Sequence, residues 1–471
     1  MSLANQEWDV IIVGAGSSGI PAAMFAAQRG ANVLQIEADS RIGGTLHWSS
    51  GQMAAAGTSI QKKLGIEDSA QAHYDDVQRI VNNTMDPVLG KLAIDHAADT
   101  IEWLFELGFE LAPGSPEAGV VHEPYTVRRY YWGNNEGTSV LDVLLPVYEK
   151  LVSENKITLL MNTKMTSLLT SDTEVVGVSA RQNESGLEFH GKNVVLTTGG
   201  YAANNDLWQE FNPDKPLCSF CNPYSRGEGM LAAREQGAKV DGQEKFLCTF
   251  AGWREVADDP LSGQFYNLAP NQRRAWEIYV NAAGERFMRE DHPSIDYHEN
   301  QLLNQPGMKM YMICDSGILQ NAPPVTYLPE EEFKAKFGQH SNFLMADSIE
   351  SLAQQIGMDP ETLQNTIDQY NESVRTGKDN AFGREFMLRE IKEGPFYAMG
   401  AQGITVCSPA GIAADDNLRV LREDGSVIKN LYAAGEVLGF TRLTGKGFAG
   451  GMSLTPALTF GRLLGQKLLS W

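Results

Sequence analysis

Two patterns of apolar and polar residues divide the chain. Near the start, the apolar run WDVIIVGAG is followed by the small-residue stretch SSGIPAAMFAAQRG and by a second apolar run, ANVLQIEA. This order predicts a strand, a tight turn, a helix and a second strand. Residues 137–160 give a further helix and strand. Residues 166–200 have the turn spacing of antiparallel strands and return to a buried strand, VVLTTGG.

The stretch from about 240 to 390 lacks this rhythm. It is rich in aromatic and polar residues and contains two helical segments, SIESLAQQIG and DPETLQNTIDQYNESVRTG. The second begins with an Asp N-cap followed by Pro. Strand–turn–helix patterning resumes with NLYAAGEV and AGGMSLTPALTFGR. We therefore predict an α/β fold, in which residues 1–240 and 391–471 form a Rossmann-like domain with a parallel sheet and an antiparallel meander, and residues 241–390 form an inserted α+β capping domain.

Composition narrows the class of partner. The formal net charge is −21, and no basic run is present, so neither nucleic acid nor an anionic membrane surface is expected as a partner. No stretch approaches 18 apolar residues, and the five cysteines are scattered, which favours a soluble cytoplasmic protein without a disulfide framework. Cys218 and Cys221 form a CxxC pair, but no second pair completes a zinc site. We expect no metal, and we favour a coincidental pair of loop cysteines over a redox couple.

The first predicted turn carries a dinucleotide-binding motif. Gly14, Gly16 and Gly19 form GxGxxG between the strand and the helix, and Glu37 ends the next strand. In such a turn the glycines permit a tight bend and close approach to a pyrophosphate. The helix N-terminus faces the phosphates, and the carboxylate accepts hydrogen bonds from ribose hydroxyls. The motif alone does not choose between NAD and FAD.

Further motifs resemble one flavoprotein family. VVGAGSSG, the GG of RIGGT, SGQMAAAGT, VVLTTGGYAANNDL, GEGMLAAREQGA, YVNAAGERFMRE, NLYAAGEV and AGGMSLTPALTFGR occur in the order found in the fumarate reductase, succinate dehydrogenase and 3-ketosteroid dehydrogenase flavoproteins. The resemblance covers nearly the whole chain. It implies FAD as cofactor and these cofactor-binding residues: Gly14, Ala15, Gly16, Ser17, Ser18, Gly19, Glu37, Ala38, Gly43, Gly44, Thr45, Ser50, Gly51, Gln52, Met53, Met165, Thr198, Gly199, Gly200, Gly435, Glu436, Ser453 and Leu454.

The attachment of FAD is predicted to be noncovalent. Succinate dehydrogenases of this family tether FAD through a His in the loop after the GG pair. Counting from the pair Ser49–Ser50, that position is Leu46 here, and His47 lies one residue later. Only one dinucleotide motif is present, so an external electron donor or acceptor is also expected.

Most residues that bind the substrate in the dicarboxylate enzymes are missing at the matching positions of this chain. The segment that carries the first substrate His in those enzymes reads FLCTFAGW here and contains no His, and Val406 or Cys407 stands in place of the second His. The helix that carries their proton-donor Arg begins CDSGILQ and contains no Arg. Glu290 matches the family's cap Glu, but the Arg that should follow it is missing. Arg442 lies several residues before the family's substrate Arg. A C4 dicarboxylate is therefore not the expected substrate.

The C-terminal loop matches the ketosteroid dehydrogenase branch better. There, a glycine before the flavin-binding helix donates its backbone N–H to a ketone oxygen, and Gly451 occupies that position by count. The loop tyrosine of that branch is absent, because Gly447 or Phe448 stands in its place. Tyr125, Tyr130 and Tyr297 are the candidate proton-transfer residues. For each of them, a packed aromatic residue with a hydrogen-bonded hydroxyl is the simpler interpretation.

Three functions remain open at this stage. The first is α,β-dehydrogenation of a cyclic, ketosteroid- or cyclohexanone-like ketone, with hydride transfer to flavin N5. The second is the reverse reaction, a fumarate-reductase-like reduction of an enoate or enone with an altered acid clamp. The third is a flavin electron-transfer subunit without small-molecule turnover, which the predicted capping domain disfavours.

Overall fold

The computed structural model describes residues 6–119, 121–256 and 262–470. The chain forms two compact units. The first unit comprises Met1–Phe211, Cys221–Phe246 and Cys407–Trp471, and the second comprises Asn212–Phe220 and Leu247–Val406. The sequence placed the changes of domain after residues 240 and 390. Among the helices of the described ranges, none is long and apolar enough to cross a membrane.

A six-stranded sheet forms the centre of the first unit. Its strands lie in the order Arg419–Leu421, Val427–Ala433, Val194–Leu196, Val10–Val13, Val33–Ile36 and Ile157–Leu160, and all but the first run parallel. Strands Val10–Val13 and Val33–Ile36 are buried at every position. Burial on both faces explains why their sequences are continuous apolar runs rather than alternating ones.

A second sheet of the first unit is the predicted meander. Thr163–Ser171, Glu174–Gln182 and Ser185–Gly191 pair antiparallel, and Glu7–Trp8 adds a parallel edge strand. Asp172 and Asn183 lie in the two turns with φ of 53°, a conformation that Asp and Asn tolerate. The predicted α/β fold, with its parallel sheet and antiparallel meander, is confirmed.

Helices and two short strand pairs complete the first unit. The pairs are Met53–Ala54 with Tyr130–Tyr131 and Val240–Asp241 with Gly411–Ile412. The helices are Gly19–Gln28, Ser59–Lys63, Ala70–Ile80, Pro87–Asp95, Ala97–Glu106, Thr138–Ser153, Asn205–Phe211, Glu228–Glu235, Phe440–Thr444 and Leu454–Leu463.

Two of these helices pack unusually closely. They are Gly19–Gln28, here called the dinucleotide helix, and Leu454–Leu463, here called the C-terminal helix. A Cβ on Gly461 would lie 2.1 Å from the carbonyl oxygen of Ser18. Only a residue without a side chain allows this approach, which sets the C-terminal half of the C-terminal helix against the N-terminal end of the dinucleotide helix.

The second unit contains an antiparallel sheet. Its strands are Thr249–Arg254, Ser262–Gln264, Ile278–Val280, Lys309–Asp315, Phe343–Ala346 and Phe396–Ile404. The last strand pairs with three of the others. The helices are Ile295–Leu303, Ser316–Asn321, Glu330–Lys336, Ile349–Ile356 and Pro360–Thr376. Ser348 and Asp359 cap the two helices that the sequence predicted in this stretch.

Candidate active site

The turn after the first buried strand has the geometry that the glycine motif predicts. Gly14 has φ of +103°, and a Cβ there would lie 2.4 Å from the carbonyl oxygen of Thr197, so no other residue fits. The buried side chain of Gln35 donates from Nε2 to the Gly14 carbonyl oxygen at 2.8 Å and accepts from the Tyr148 hydroxyl at 2.7 Å. These bonds fix the carbonyl side of the turn.

Glu37 lies at the end of the second strand. Its Oε2 accepts a hydrogen bond from the Ala15 N–H at 2.6 Å, and its Oε1 accepts one from the Asp39 N–H at 2.8 Å. Burial raises the pKa of Glu37. Each carboxylate oxygen retains a further lone pair, so the group can also accept two ribose hydroxyls.

The C-terminal segments supply the opposite wall. Glu436 accepts from the Ser408 N–H at 2.7 Å, and burial raises its pKa as well. Ser453 occupies the N-cap position of the C-terminal helix without capping it through its own side chain. The first-turn amides of a helix carry partial positive charge, which suits an electron-rich group of a ligand.

These segments enclose a cavity of about 600 Å³ that lies within the first unit, a volume typical of cofactor sites. The predicted cofactor residues in its wall are Gly14, Gly16, Ser17, Ser18, Glu37, Ala38, Gly44, Thr45, Met165, Thr198, Gly199, Gly435, Glu436, Ser453 and Leu454. Those outside the wall are Ala15, Gly19, Gly43, Ser50, Gly51, Gln52, Met53 and Gly200. Ala15 and Gly19 act from behind the wall, through the bond to Glu37 and the packing of the turn.

One wall of the cavity escaped the sequence analysis. Residues Asn222–Arg226 line it, together with Lys164 and Glu228, which form an ion pair of 2.6 Å. The segment reads NPYSRGEG, a turn-rich stretch directly before the helix Glu228–Glu235. A loop before a helix start was the available signal, but only the tertiary structure shows that this loop faces the same cavity as Glu37.

Gly451 lies just before the C-terminal helix and packs against the strand Met53–Ala54. Its φ is +80°, and a Cβ there would lie 2.4 Å from the Ala54 nitrogen. A glycine is therefore required at this position by the backbone alone. Within the described residues, no protein acceptor takes the Gly451 N–H.

Tyr125 and Tyr130 lie beside this glycine pair. The Tyr125 hydroxyl donates to the carbonyl oxygen of Gly450 at 2.5 Å, and its ring is buried. The ring of Tyr130 lies against Gly450, where a Cβ would be 2.7 Å from the ring. Because the hydroxyl proton of Tyr125 is already donated to a backbone carbonyl, this geometry does not support Tyr125 as a proton-transfer residue.

Tyr297 belongs to the second unit. Its hydroxyl oxygen accepts a hydrogen bond from the Arg289 N–H at 3.0 Å, and its ring stacks on His292 with centroids 4.1 Å apart. Among the described residues, none accepts the proton of this hydroxyl. Tyr297 therefore keeps a hydroxyl proton available for transfer.

Glu290 and Arg442, which the family resemblance suggested as substrate-site residues, both form ion pairs within the protein. Glu290 is buried in the second unit and receives two hydrogen bonds of 2.7 Å from Arg286. Arg442 is buried in the first unit and forms ion pairs with Asp86 and Asp241. Arg442 therefore binds two carboxylates of the protein, and Glu290 is held by Arg286.

The cavity fits an extended dinucleotide. Two helix starts face it, and two half-buried carboxylates, Glu37 and Glu436, lie in its wall without a cationic partner among the described residues. A Cβ on Gly16 would find no protein atom closer than 3.9 Å, so the space that a side chain would fill is left open. The fold and the cavity together define a flavoprotein of the dinucleotide-binding class.

Comparison with known proteins agrees with this class. The model of the FAD binding domain family matches residues 9–451, and the chain belongs to this family. A Shewanella frigidimarina protein named "Probable fumarate reductase Ifc3" is 30% identical over 98% of this chain and 75% of its own length. A 3-oxosteroid 1-dehydrogenase of Mycolicibacterium smegmatis is 24% identical over 98% of this chain and 97% of its own.

A solved structure shows the same likeness. The open conformation of a flavocytochrome c3 fumarate reductase superposes with a TM-score of 0.74 and 26% identity, over 99% of this chain and 78% of that one. The predicted resemblance and the predicted FAD cofactor are confirmed. The protein is an FAD-dependent oxidoreductase of the group that reduces or dehydrogenates CH–CH bonds.

Proposed function

We propose that this enzyme acts on the α,β carbon–carbon bond next to a single carbonyl group, with desaturation of a cyclic, mostly apolar ketone as the net reaction. One observation carries the proposal. The N–H of Gly451 lacks an acceptor within the described protein and lies two residues before Ser453, which lines the cofactor cavity. A backbone donor at this position suits the oxygen of a substrate carbonyl.

The chain supplies binding and polarisation. Bound FAD supplies hydride acceptance and donation at N5. The Gly451 N–H donates to the carbonyl oxygen and stabilises the negative charge that develops there when the α-hydrogen leaves as a proton. In desaturation this proton passes to a base, and a tyrosine is a base only as the tyrosinate. Tyr297, a candidate from the sequence, keeps its own hydroxyl proton here, which is the protonation state of a donor in the reverse reaction.

A substrate with one carbonyl is preferred over a dicarboxylate because the arginine nearest in sequence to the family's substrate Arg, Arg442, is already paired within the protein. Arg442 is paired with Asp86 and Asp241, and Cys407 stands in the cavity wall near the position where the dicarboxylate enzymes carry a His. Burial raises the pKa of the Cys407 thiol. A neutral thiol does not replace the positive charge of a protonated His.

The second candidate function is the reverse reaction, reduction of an enone or a monocarboxylic enoate. It is favoured by the name of the Shewanella frigidimarina relative, a fumarate reductase. Both directions share one transition state, so both use the same donor to the carbonyl oxygen. The potential of the bound flavin and the external electron partner set the net direction.

Anaerobic flavin spectroscopy tests the proposal. Cyclohexanones should bleach the oxidised flavin, and cyclohexenone should re-oxidise the dithionite-reduced enzyme, whereas fumarate should not. Cyclohexene, which has the same ring without a carbonyl, is the control. Rapid re-oxidation by fumarate would reject the single-carbonyl substrate, and equal rates with cyclohexene and cyclohexenone would reject the role of the carbonyl.

A substitution at Gly451 itself is a poor test. A side chain there would collide with the strand Met53–Ala54 and adopt an unfavourable φ, whatever the amide does. Gly451→Val is therefore expected to disturb the cofactor cavity along with any activity. The role of the amide has to be tested through a residue that orients it.

A further inference from the structure

The peptide group between Gly450 and Gly451 is held by a side chain from a distant part of the first unit. The Tyr125 hydroxyl donates to the Gly450 carbonyl oxygen at 2.5 Å across 325 residues of sequence. In a trans peptide the C=O and the following N–H point in opposite directions. A bond that fixes the Gly450 carbonyl therefore also fixes the direction of the Gly451 N–H.

The same peptide group is confined on two further sides. The ring of Tyr130 lies against Gly450, and the backbone of Met53–Ala54 lies against Gly451. These contacts limit how far the peptide plane can shift, but glycine φ and ψ angles leave its rotation open. The hydrogen bond from Tyr125 is the contact that sets the rotation.

Tyr125 is itself rigidly placed. The guanidinium of Arg129 lies 5.3 Å from the centre of its ring, and the edge of His73 packs at 5.5 Å. Arg129 is fully buried and pairs with Asp68 at 2.8 Å and with Asp76 at 3.0 Å. Burial raises the pKa of the Tyr125 hydroxyl, so it remains a donor at any pH at which the protein is folded.

We propose that Tyr125 is a positioning residue: its hydroxyl bond to the Gly450 carbonyl oxygen orients and polarises the Gly450–Gly451 peptide so that the Gly451 N–H donates to the substrate carbonyl. This inference rests on the proposed function. Hydrogen bonds in series strengthen one another, so a donor on the carbonyl side makes the N–H of the same peptide a better donor.

A purely structural role is the competing explanation. A buried carbonyl without a partner is costly, and Tyr125 satisfies one. A structural role predicts lower stability with an unchanged turnover number. A positioning role predicts a lower kcat with little change in KM, because the donor acts most strongly on the charge that develops in the transition state.

Tyr125→Phe in the FAD-loaded enzyme separates these roles. Tyr131→Phe is the matched control, because Tyr131 is equally buried and its hydroxyl bonds Thr58 rather than Gly450. With cyclohexenone, or with the substrate that the spectroscopic panel identifies, Tyr125→Phe is expected to lower kcat by about tenfold or more. Complete loss of an oxyanion donor typically costs about a hundred- to a thousandfold. KM and flavin content should stay near the wild-type values, and Tyr131→Phe should retain wild-type kcat.

A spectroscopic measurement makes the test independent of turnover. When glycine is labelled with ¹³C at the carbonyl and with ¹⁵N, only Gly–Gly peptides give a carbonyl-to-amide correlation in NMR. The chain has three such peptides: Gly43–Gly44, Gly199–Gly200 and Gly450–Gly451. Tyr125→Phe should shift one of the three signals, and Tyr131→Phe should leave all three in place.

The outcomes distinguish the two proposals. If the wild-type enzyme requires the carbonyl and Tyr125→Phe retains full kcat, or if none of the three signals moves, the positioning role is overturned while the proposed function stands. If the wild-type enzyme treats cyclohexene and cyclohexenone alike, the proposed function fails, whatever the variant does. Loss of FAD from Tyr125→Phe with an unchanged kcat per bound flavin would assign Tyr125 to structure alone.

Discussion

The two half-buried carboxylates of the cavity wall, Glu37 and Glu436, and the buried carboxylates of the second unit have different partners. In the first unit, Glu37 and Glu436 accept only from backbone N–H groups and a Ser side chain, and burial raises the pKa of both. In the second unit, arginines bind Glu277, Glu290 and Asp379. Burial raises the pKa of Glu277, but the ion pair with Arg273 outweighs this effect, and the pKa lies below its usual value.

This difference distinguishes carboxylates that can bind a ligand from carboxylates that stabilise the fold. The second-unit carboxylates have their charge balanced by a cation inside the protein, so they contribute to folding and have little capacity left for a ligand. Glu37 and Glu436 are half-buried in the cavity wall without a cationic partner among the described residues, and they keep lone pairs that a ligand can use. A ligand with several hydroxyl groups supplies the missing donors, as the ribose and ribityl groups of FAD do.

The largest expected effect comes from breaking buried ion pairs of the second unit. Arg286→Met removes the arginine that binds both Glu290 and Asp379; Glu290 keeps Arg384 at 3.5 Å, and Asp379 loses its cation. We expect a loss of about 3–5 kcal/mol in the free energy of unfolding, measured by urea denaturation with circular dichroism. The control is Arg375→Met, whose ion pairs with Glu372 and Glu390 lie on the surface; its free energy of unfolding should stay close to that of the wild type. Equal losses for the two variants would contradict the comparison.

A site carboxylate should affect the cofactor more than the fold. Glu37→Ala removes two charge-assisted acceptors and, we expect, weakens FAD binding by about 2–3 kcal/mol, on the order of a hundredfold in Kd. Flavin absorbance after dialysis measures the retained FAD. Glu188→Ala, on the exposed face of the meander, is the control. Wild-type retention of FAD by Glu37→Ala would remove Glu37 from the cofactor site.

The two sets of carboxylates should respond oppositely to pH. The pKa of Glu436 in the folded state lies above 4.5. The folded apo-protein therefore still binds this proton at pH values at which the unfolded chain has lost it, so its free energy of unfolding falls as the pH rises from 4.5 through the folded-state pKa. Glu436→Gln should abolish this loss and make the apo-protein more stable than the wild type at pH values above the folded-state pKa of Glu436.

Asp379 should show the reverse. Burial raises its pKa, but the bond from Arg286 outweighs burial and holds the pKa below 3.8. Its stabilisation is present above pH 3.8 and is lost as pH falls through the folded-state pKa. Asp379→Asn should therefore be less stable than wild type near neutral pH, with the difference shrinking in acid. Unfolding curves of apo-protein between pH 3 and 8 measure both effects, and parallel pH profiles for the two variants would refute the contrast.

The smallest effect is expected at His47. Its Nε2 lies 2.9 Å from the Ile42 carbonyl oxygen, to which it donates, and its side chain is outside the cavity wall. We expect His47→Ala to retain FAD and to release it into the supernatant on acid precipitation, as the wild-type enzyme does. Yellow colour in the wild-type precipitate, absent from the variant, would show a covalent tether through His47.

Local patterns predicted the parts of the fold that depend on local physics. The apolar run, the glycine turn, the dinucleotide helix and the acidic strand end all lie where the sequence placed them, because the strand is buried on both faces and only glycine fits the turn. The caps at Ser348 and Asp359 were equally readable. The strand Phe396–Ile404 was not, because its partners lie in the second unit and its sequence does not say which sheet it joins.

The sequence by itself determined the flavoprotein class, the dinucleotide motif and about half of the cavity wall, since each depends on a few adjacent residues with fixed spacing. The tertiary structure decided what the isolated charged and aromatic residues do. Glu290 and Arg442 matched family positions by count, yet both are bound by neighbours from distant segments. Tyr125 looked like a proton donor, but its hydroxyl meets a carbonyl 325 residues away. The function of such a side chain depends on its hydrogen-bond or ion-pair partner, and long-range packing determines which group that partner is.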